Sequence, residues 1–530
     1  MLVAGKARLI TVTGLLVVGF IAIITLSYNP SFTDSSSQYL KKWTHLHNEE
    51  QGWLGPATPV PTQKQPGQSS SEKQETIPFN PAAPKADNEL PSTNPNPFAA
   101  VDKFTGQETK QEHKAPYGGS DHAPPSTGAV PAGLPTEVHG DPLHPSDVPD
   151  ISKWHEIRSQ SVPQGKYFPV NFYDHDNILA INPNIIPHPH YNDTWIAVAQ
   201  KFDRDRPYVS GWSEELVCNA QFVAGGNLSC NLDTRGTLTV PATFSPNCHD
   251  KLMALNLNIG PHDARVAYGP DYPYLVYGSQ SHYACFGQWA QDFRLLMDWG
   301  LYRGNDSGMD PFQVPTEIQR PPPWGNMEKN FYFFWDFNKT MYVHHDTAPQ
   351  RVFAKVEPDG SVGPDLSEHA RPSDSFCWKK HTGLNPLPDP SVTKASIHQA
   401  SNSLSITMCN RGECFPNATN TFIIEIFQQK ISNGGPMHAR YEPFVTMFQR
   451  EAPFQMHAIS EKPLWIRGRN SLTEMLYVTS ISWKAKDMKY EGFLDDEMFV
   501  NFGIEDSRTA SIDVLAGDLV GGNLMLCDVA

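Results

Sequence analysis

From residue 151 to residue 530 the apolar side chains come in short bursts broken by Pro, Gly, Asn and Asp, and this pattern limits the chain more than any other. The bursts 195–199 (WIAVA), 274–277 (YLVY), 331–335 (FYFFW), 341–344 (MYVH), 422–427 (FIIEIF), 475–481 (MLYVTSI) and 498–503 (MFVNFG) are rich in β-branched and aromatic residues. Each has the length of one strand. Helical periodicity is weak, apart from a turn or two between Trp289 and Met297. Many short strands between turn signals predict an all-β body built as a sandwich, a barrel or a propeller. A loose repeat narrows the choice. A polar segment, an apolar strand, a turn and a second aromatic strand recur near Asn182, Asp263, Glu328, Glu442 and Asp495. Five such units, of about 75 residues each, predict a five-bladed β-propeller in which the polar heads of the innermost strands meet at a central pocket.

The first 150 residues have a different composition. Residues 9–26 (LITVTGLLVVGFIAIITL) follow Lys6 and Arg8. At about 1.5 Å per residue they nearly span a hydrocarbon core of roughly 30 Å, and the basic flank keeps the short N-terminal side in the cytosol. The run is long for the apolar part of a cleaved leader, and no small-x-small site follows it. The chain therefore reads as a cytosolic tail (1–8), a signal anchor (9–27), a Pro/Ser-rich disordered stem (28–150) and a luminal body (151–530). Segments such as Pro59-Val60-Pro61 and the stretch with Pro91, Pro95 and Pro97 cannot bury enough surface to offset their ordering entropy.

Compartment and partners follow from the same residues. All eight cysteines (Cys218, Cys230, Cys248, Cys285, Cys377, Cys409, Cys414 and Cys527) lie in the body, as do five sequons at Asn192, Asn227, Asn305, Asn338 and Asn417. An even cysteine count with sequons predicts disulfides and glycans in an oxidising compartment. No C-x-x-C pair occurs, so structural zinc is not expected. With 57 acidic and 41 basic side chains, the net charge of −16 excludes a nucleic-acid binder of the ordinary basic kind.

The heads of the repeats carry the candidate chemistry. Asp263 and Arg265 alternate along an extended chain, so both face one side. The Arg can orient the carboxylate or grip an anionic group in bidentate fashion. Glu328, Lys329 and Asn330 precede an aromatic strand, and His344, His345 and Arg351 follow on the returning one. Arg440, Tyr441, Glu442 and His457 belong to the fourth unit. The fifth carries Asp495, Asp496 and Glu497, then Gly503-Ile504-Glu505-Asp506. His188 and His190 share a strand face, but Pro187 and Pro189 break that strand and no acidic partner has ligand spacing, so no metal is expected. Asp203-Arg204-Asp205 has the D-x-D spacing of many metal-dependent sugar transferases, which is a weak signal in so short a motif.

These residues resemble the five-bladed propeller of β-mannoside phosphorylases and of the wider furanosidase-like glycosidases, over roughly residues 182–513. The family's Gly-Glu-Asp-Pro-Arg motif is similar to Gly260-Pro261-His262-Asp263-Ala264-Arg265, where the Asp and Arg match and the Glu and Pro do not. The Glu328-Lys329-Asn330 segment and the His344 strand are similar to its phosphate- and sugar-binding blade, and Gly503–Asp506 to its last-blade glycine-acid motif. The anchor and stem layout resembles fungal Golgi β-mannosyltransferases of type II topology. The resemblance implies a Golgi or ER enzyme that moves a hexose, with mannose favoured, from a sugar nucleotide or sugar phosphate to a glycan acceptor without a further cofactor. A β-mannoside hydrolase or phosphorylase and a non-catalytic glycan-binding propeller are the alternatives. The implied catalytic residue is Asp263, and Arg265, Glu328, Lys329, Asn330, His344, Arg351 and Asp506 are the implied substrate ligands.

Overall fold

A computed structural model of the chain describes residues 150–173, 178–203, 211–297, 310–348, 350–382, 395–431 and 439–527. The expected tail, anchor and stem, and the sequon at Asn305, lie outside the described residues. Among the described residues no helix is long and apolar enough to cross a membrane.

The body is all-β, with α-helices at Arg371–Thr382 and Ala516–Val520 among the described residues. Between Trp289 and Met297, where the sequence predicts a turn or two of helix, the strand Phe286–Asp292 runs into the 3-10 turn Phe293–Leu296. The strands form antiparallel meanders in chain order. Ile178–Pro187 leads Trp195–Asp203 and Glu215–Phe222. His262–Tyr268 leads Pro273–Gln280 and Phe286–Asp292. Tyr332–Trp335 leads Met341–Asp346 and Val352–Lys355. Ala395–Gln399, continued by Leu404–Thr407, leads Thr421–Ile431 and Arg440–Gln449. Leu476–Trp483 leads Glu497–Ile504 and Arg508–Leu515. Aromatic runs such as Phe331–Trp335 and Phe422–Ile426 are buried on both faces because their strands lie between packed layers. That is why they read as continuous apolar runs without alternation.

The leading strands pack on one another, yet main-chain pairing between them is not what joins them. Buried side chains do this. Asn184 donates Nδ2 to the Ala264 carbonyl (2.7 Å) and accepts from the Val266 N–H (3.3 Å). Asn402 donates to the Ile481 carbonyl and accepts from the Ile481 N–H, both at 3.0 Å. Ser403 Oγ reaches the Phe333 carbonyl (2.6 Å), and Thr479 and Ser482 reach the carbonyls of Pro183 and Ile185 (2.5 Å each). An amide side chain presents the same donor and acceptor as a peptide unit, so Asn184 and Asn402 act as lateral rungs.

The first and last meanders are tied by the segment that precedes them. Phe168–Asn171 pairs antiparallel with Arg508–Leu515 and parallel with Leu228–Cys230, and His155–Ile157 pairs with Leu464–Ile466. All eight cysteines are paired, as Cys218–Cys230, Cys248–Cys285, Cys377–Cys527 and Cys409–Cys414, which bears out the expected disulfides. Of the described sequons, Asn192, Asn338 and Asn417 are exposed and Asn227 is half-buried.

Removing one rung leaves a buried N–H and a buried carbonyl without partners, at about 1–3 kcal/mol for each group. Asn402→Ala is expected to lower stability by roughly 2–4 kcal/mol in a denaturant titration. An unchanged midpoint would show that these rungs carry no weight.

Candidate functional site

The backbone at Asp263 is strained and fully bonded. Gly260 precedes it at φ 101°, where an added Cβ would lie 2.3 Å from the Ser213 carbonyl oxygen. Asp263 itself sits at φ 50°, opposite a register break between His262 and Arg265. A left-handed non-glycine residue costs on the order of 1–3 kcal/mol and persists when its surroundings over-determine it. Here four side chains do so. Gln200 Oε1 accepts the Asp263 N–H (3.1 Å), Arg265 Nη1 donates to the Asp263 carbonyl (2.9 Å), Glu215 Oε1 accepts the Ala264 N–H (3.2 Å), and Asn184 holds the Ala264 carbonyl. Asn182 and Asn330 also adopt positive φ (55° and 59°). Asn and Asp tolerate that region best among residues with a side chain, which is why the polar heads are of these types.

The Asp263 carboxylate accepts from Asn182 Nδ2 at 2.7 Å. Burial pushes its carboxyl upward, but the charges of Arg265 and Lys329 and the Asn182 hydrogen bond outweigh this and hold it below the usual carboxylate value. Arg265 forms the floor. Its Nε reaches the Ala400 carbonyl (3.3 Å), and beneath it a void of about 20 Å³, lined by Tyr268, Tyr274, Phe331 and Asn402 among others, has room for about one water.

Other charged and phenolic groups lie within electrostatic reach of Asp263 or of one another. Burial, then the like charge of Lys329, lowers the Lys430 ammonium, and Asp506 opposes the shift. Burial raises the Tyr441 and Tyr477 phenols, and Asp263 and Asp506 reinforce both shifts. The two rings meet edge to face at 4.9 Å, with Lys430 5.8 Å from the Tyr441 centroid and the His398 ring 5.8 Å from it. Asp263, Lys329, Asn330, His398, Lys430, Tyr441 and Tyr477 are all half-buried and Asp506 is exposed, so the wall is open to solvent. Asp506 lies on the turn between Glu497–Ile504 and Arg508–Leu515, where Glu505 and Asp506 both have positive φ.

Asp263, Arg265, Lys329, Asn330 and Asp506 thus come together. Glu328, His344 and Arg351 do not join them. Glu328 is buried and taken up by Arg320 Nη1 (2.8 Å) and the Gly325 amide (2.6 Å). His344 is 0% exposed, stacked on Tyr332 at 4.7 Å. Arg351 Nε donates to its Nε2 (3.2 Å), so the ring proton is on Nδ1 and is given to Gln399 Oε1 (2.8 Å). Gln399 Nε2 in turn holds the Asn330 carbonyl at 2.6 Å. His344 and Arg351 therefore support Asn330 from behind. His398, Lys430 and Tyr477 border the site and were missed by sequence reasoning, as were Gln200 and Glu215, which hold the Asp263 turn from behind. Lys430 ends an apolar strand and Tyr477 lies inside one, so both read as scaffold.

Among the described residues, no group of three or more His, Cys, Asp or Glu side chains could hold a metal ion. A surface cavity of about 400 Å³ beside Asn192 is lined by Tyr191, Thr194, Asn219, Gln221, Asn231 and Thr234, without an acid or a base.

No family model and no curated protein matches the chain. Among solved structures it is similar to a mannose phosphorylase of Leishmania mexicana, at 9% identity and TM-score 0.35, covering 68% of this chain and 91% of that one. A GDP-Man-dependent mannosyltransferase of Leishmania mexicana matches at 9% identity and TM-score 0.36 over 69% and 95% of the two chains. A putative glycoside hydrolase of Bacteroides ovatus matches at 9% identity and TM-score 0.35 over 68% and 97%. At such identities and scores the likeness assigns no activity.

The buried support behind Asn330 contains a pH-sensitive acid. Glu425 accepts from Thr347 Oγ1 (3.3 Å), and burial pushes its carboxyl up to about 7, against the opposing pull of Tyr332 and Arg351. A carboxyl raised on folding adds nothing at low pH and costs stability as pH climbs from its unfolded value toward 7. The loss is on the order of 3 kcal/mol by pH 8. Glu425→Gln is expected to melt with the wild type at about pH 5 and above it at about pH 8. The same difference at both pH values would refute this placement of the charge.

Proposed function

We propose that the body is a five-bladed β-propeller enzyme that transfers a hexose, mannose favoured, from a sugar nucleotide or sugar phosphate to a glycan acceptor. The observation that carries this reading is a carboxylate on a fully bonded, strained backbone, with Lys329 close enough to act on its charge and Lys430 close to Lys329. Asp263 would take the proton of the attacking acceptor hydroxyl, which is typically worth roughly 10²–10⁴ in rate. Lys329 and Lys430 would neutralise the departing phosphate, as preorganised cations do where charge develops. Tyr441, Tyr477, Asn330 and Asn182 offer rings and amides to sugar hydroxyls. The luminal side of a Golgi or ER membrane, with residues 9–27 as the type II anchor, is supported by the pairing of every cysteine and by the exposed sequons.

Asp506 favours a second reading. It is a second carboxylate whose charge reaches the same two tyrosines as that of Asp263, and inverting glycoside hydrolases work with two. Incubating the full-length chain with a panel of sugar nucleotides and, separately, with labelled β-mannosides with and without phosphate distinguishes the two by mass spectrometry. Transfer from a sugar nucleotide supports the first reading, and release from the mannosides alone supports the second. Tight glycan binding without turnover would make the body a lectin-like propeller instead.

With the productive donor, Asp263→Asn is expected to lower kcat by roughly 10²-fold or more. Retained turnover would remove Asp263 from the chemistry. Because the Lys430 ammonium is depressed, it loses its charge as pH rises before an ordinary lysine at about 10.4 would. The alkaline fall of kcat/KM should therefore begin below that value and move upward in Lys430→Arg. A limb that stays in place would assign it to another group.

A further inference from the structure

Glu215 starts the strand Glu215–Phe222, behind the Asp263 turn, and is 0% exposed. One carboxyl oxygen, Oε1, accepts the Ala264 N–H at 3.2 Å, while Oε2 is buried without a hydrogen-bond partner. The charges packed around it are already engaged. Arg265 gives Nη1 to the Asp263 carbonyl and Nε to the Ala400 carbonyl. Lys201 and Glu214 pair with each other at 2.5 Å. Burial drops His262 to about 4, which leaves it neutral, and its Nδ1 meets Ser213 Oγ at 3.1 Å. Asp263 itself is negative. A second negative charge behind it would be half unbonded, buried and beside a like charge, three conditions that each oppose ionisation.

We propose that Glu215 is a positioning residue that holds the Asp263 turn as a neutral carboxylic acid. This rests on the reading of Asp263 as the reactive carboxylate. Burial lifts the Glu215 carboxyl well above its ordinary value with Asp263 reinforcing it, and this outweighs the opposing Ala264 amide and Arg265 charge. Two neighbouring carboxyls thus share one charge, and Asp263 keeps it. The neutral acid fixes the left-handed turn through the Ala264 amide and leaves the Asp263 charge unrepelled from behind.

Three variants of the full-length chain test this. In Glu215→Gln the amide oxygen keeps the Ala264 bond without charge, so kcat and KM are expected within about threefold of wild type. In Glu215→Ala the amide loses its acceptor, so kcat is expected to fall tenfold or more with KM within about threefold. Infrared difference spectroscopy at pH 7, wild type minus Glu215→Gln, is expected to show the carbonyl stretch of a buried protonated carboxyl. That readout needs neither turnover nor the Ala variant, so it stands even if the full-length chain proves inactive. Absence of the band, loss of kcat in Glu215→Gln as deep as in Glu215→Ala, or wild-type kinetics in Glu215→Ala would each overturn the proposal. Glu215→Asp, which shortens the reach to the amide but keeps the acid, is expected to retain part of kcat. Full activity in it would show that reach is irrelevant and would count against positioning.

Discussion

The structure depends on how strands that converge can be joined once their main chains no longer pair. The leading strands of neighbouring meanders pack without a main-chain ladder between them, and each buried N–H or carbonyl left over would cost a hydrogen bond's worth of desolvation. Asn184 and Asn402 answer this with side-chain amides that copy a peptide unit, and Ser403, Thr479 and Ser482 supply single donors where only a carbonyl is left. These strands are therefore held by a few specific polar side chains as well as by the aromatic layers between sheets. Small polar residues inside apolar strands, such as those of 475–483, are structural for this reason.

The same constraint places strain where a reactive group benefits from it. A strand that breaks register at its head turns one residue into the left-handed region and aims its side chain out of the sheet. At Asp263 the two N–H groups and two carbonyls of the turn are all consumed by side chains, so the backbone beneath the carboxylate is fixed. Arg265 belongs to the same support. Its bonds to three carbonyls make it a brace, although its spacing from Asp263 reads as a partner for an anion.

How much of this was legible follows from what each residue has to satisfy. The strands were legible because two-sided burial demands unbroken apolar runs, and 331–335 and 422–427 supply them. The disulfides were legible as an even count, but their pairing was not, since Cys377 and Cys527 are brought together only by the packing of the helix Arg371–Thr382 near the last strand, Leu524–Leu526. The head residues were legible as polar outliers, and their type makes sense once the positive φ is known. Depth was not legible. Glu328, His344 and Arg351 are polar like Lys329, yet a salt bridge or a ring stack takes each into the interior. Gln200 and Glu215 sit on strands that show no sign of the turn they serve.

Depth also explains why the interior behind the site is polar at all. The chain Asn330, Gln399, His344, Arg351, Asp374 runs from the wall inward, each member giving or taking a hydrogen bond from the next. An apolar core there would pack as tightly at less desolvation cost, because replacing buried polar groups with hydrophobic ones is often neutral or stabilising. What a fully bonded network adds is direction: it fixes the Asn330 carbonyl, and with it the left-handed head from which Lys329 and Asn330 project. Glu425 is the weak member, since burial raises its carboxyl to about 7. A network that spends stability at one carboxyl to orient another strand's head follows the same design as the Asp263 turn, where Glu215 carries the unbonded oxygen. In both places an acid is buried behind a polar head.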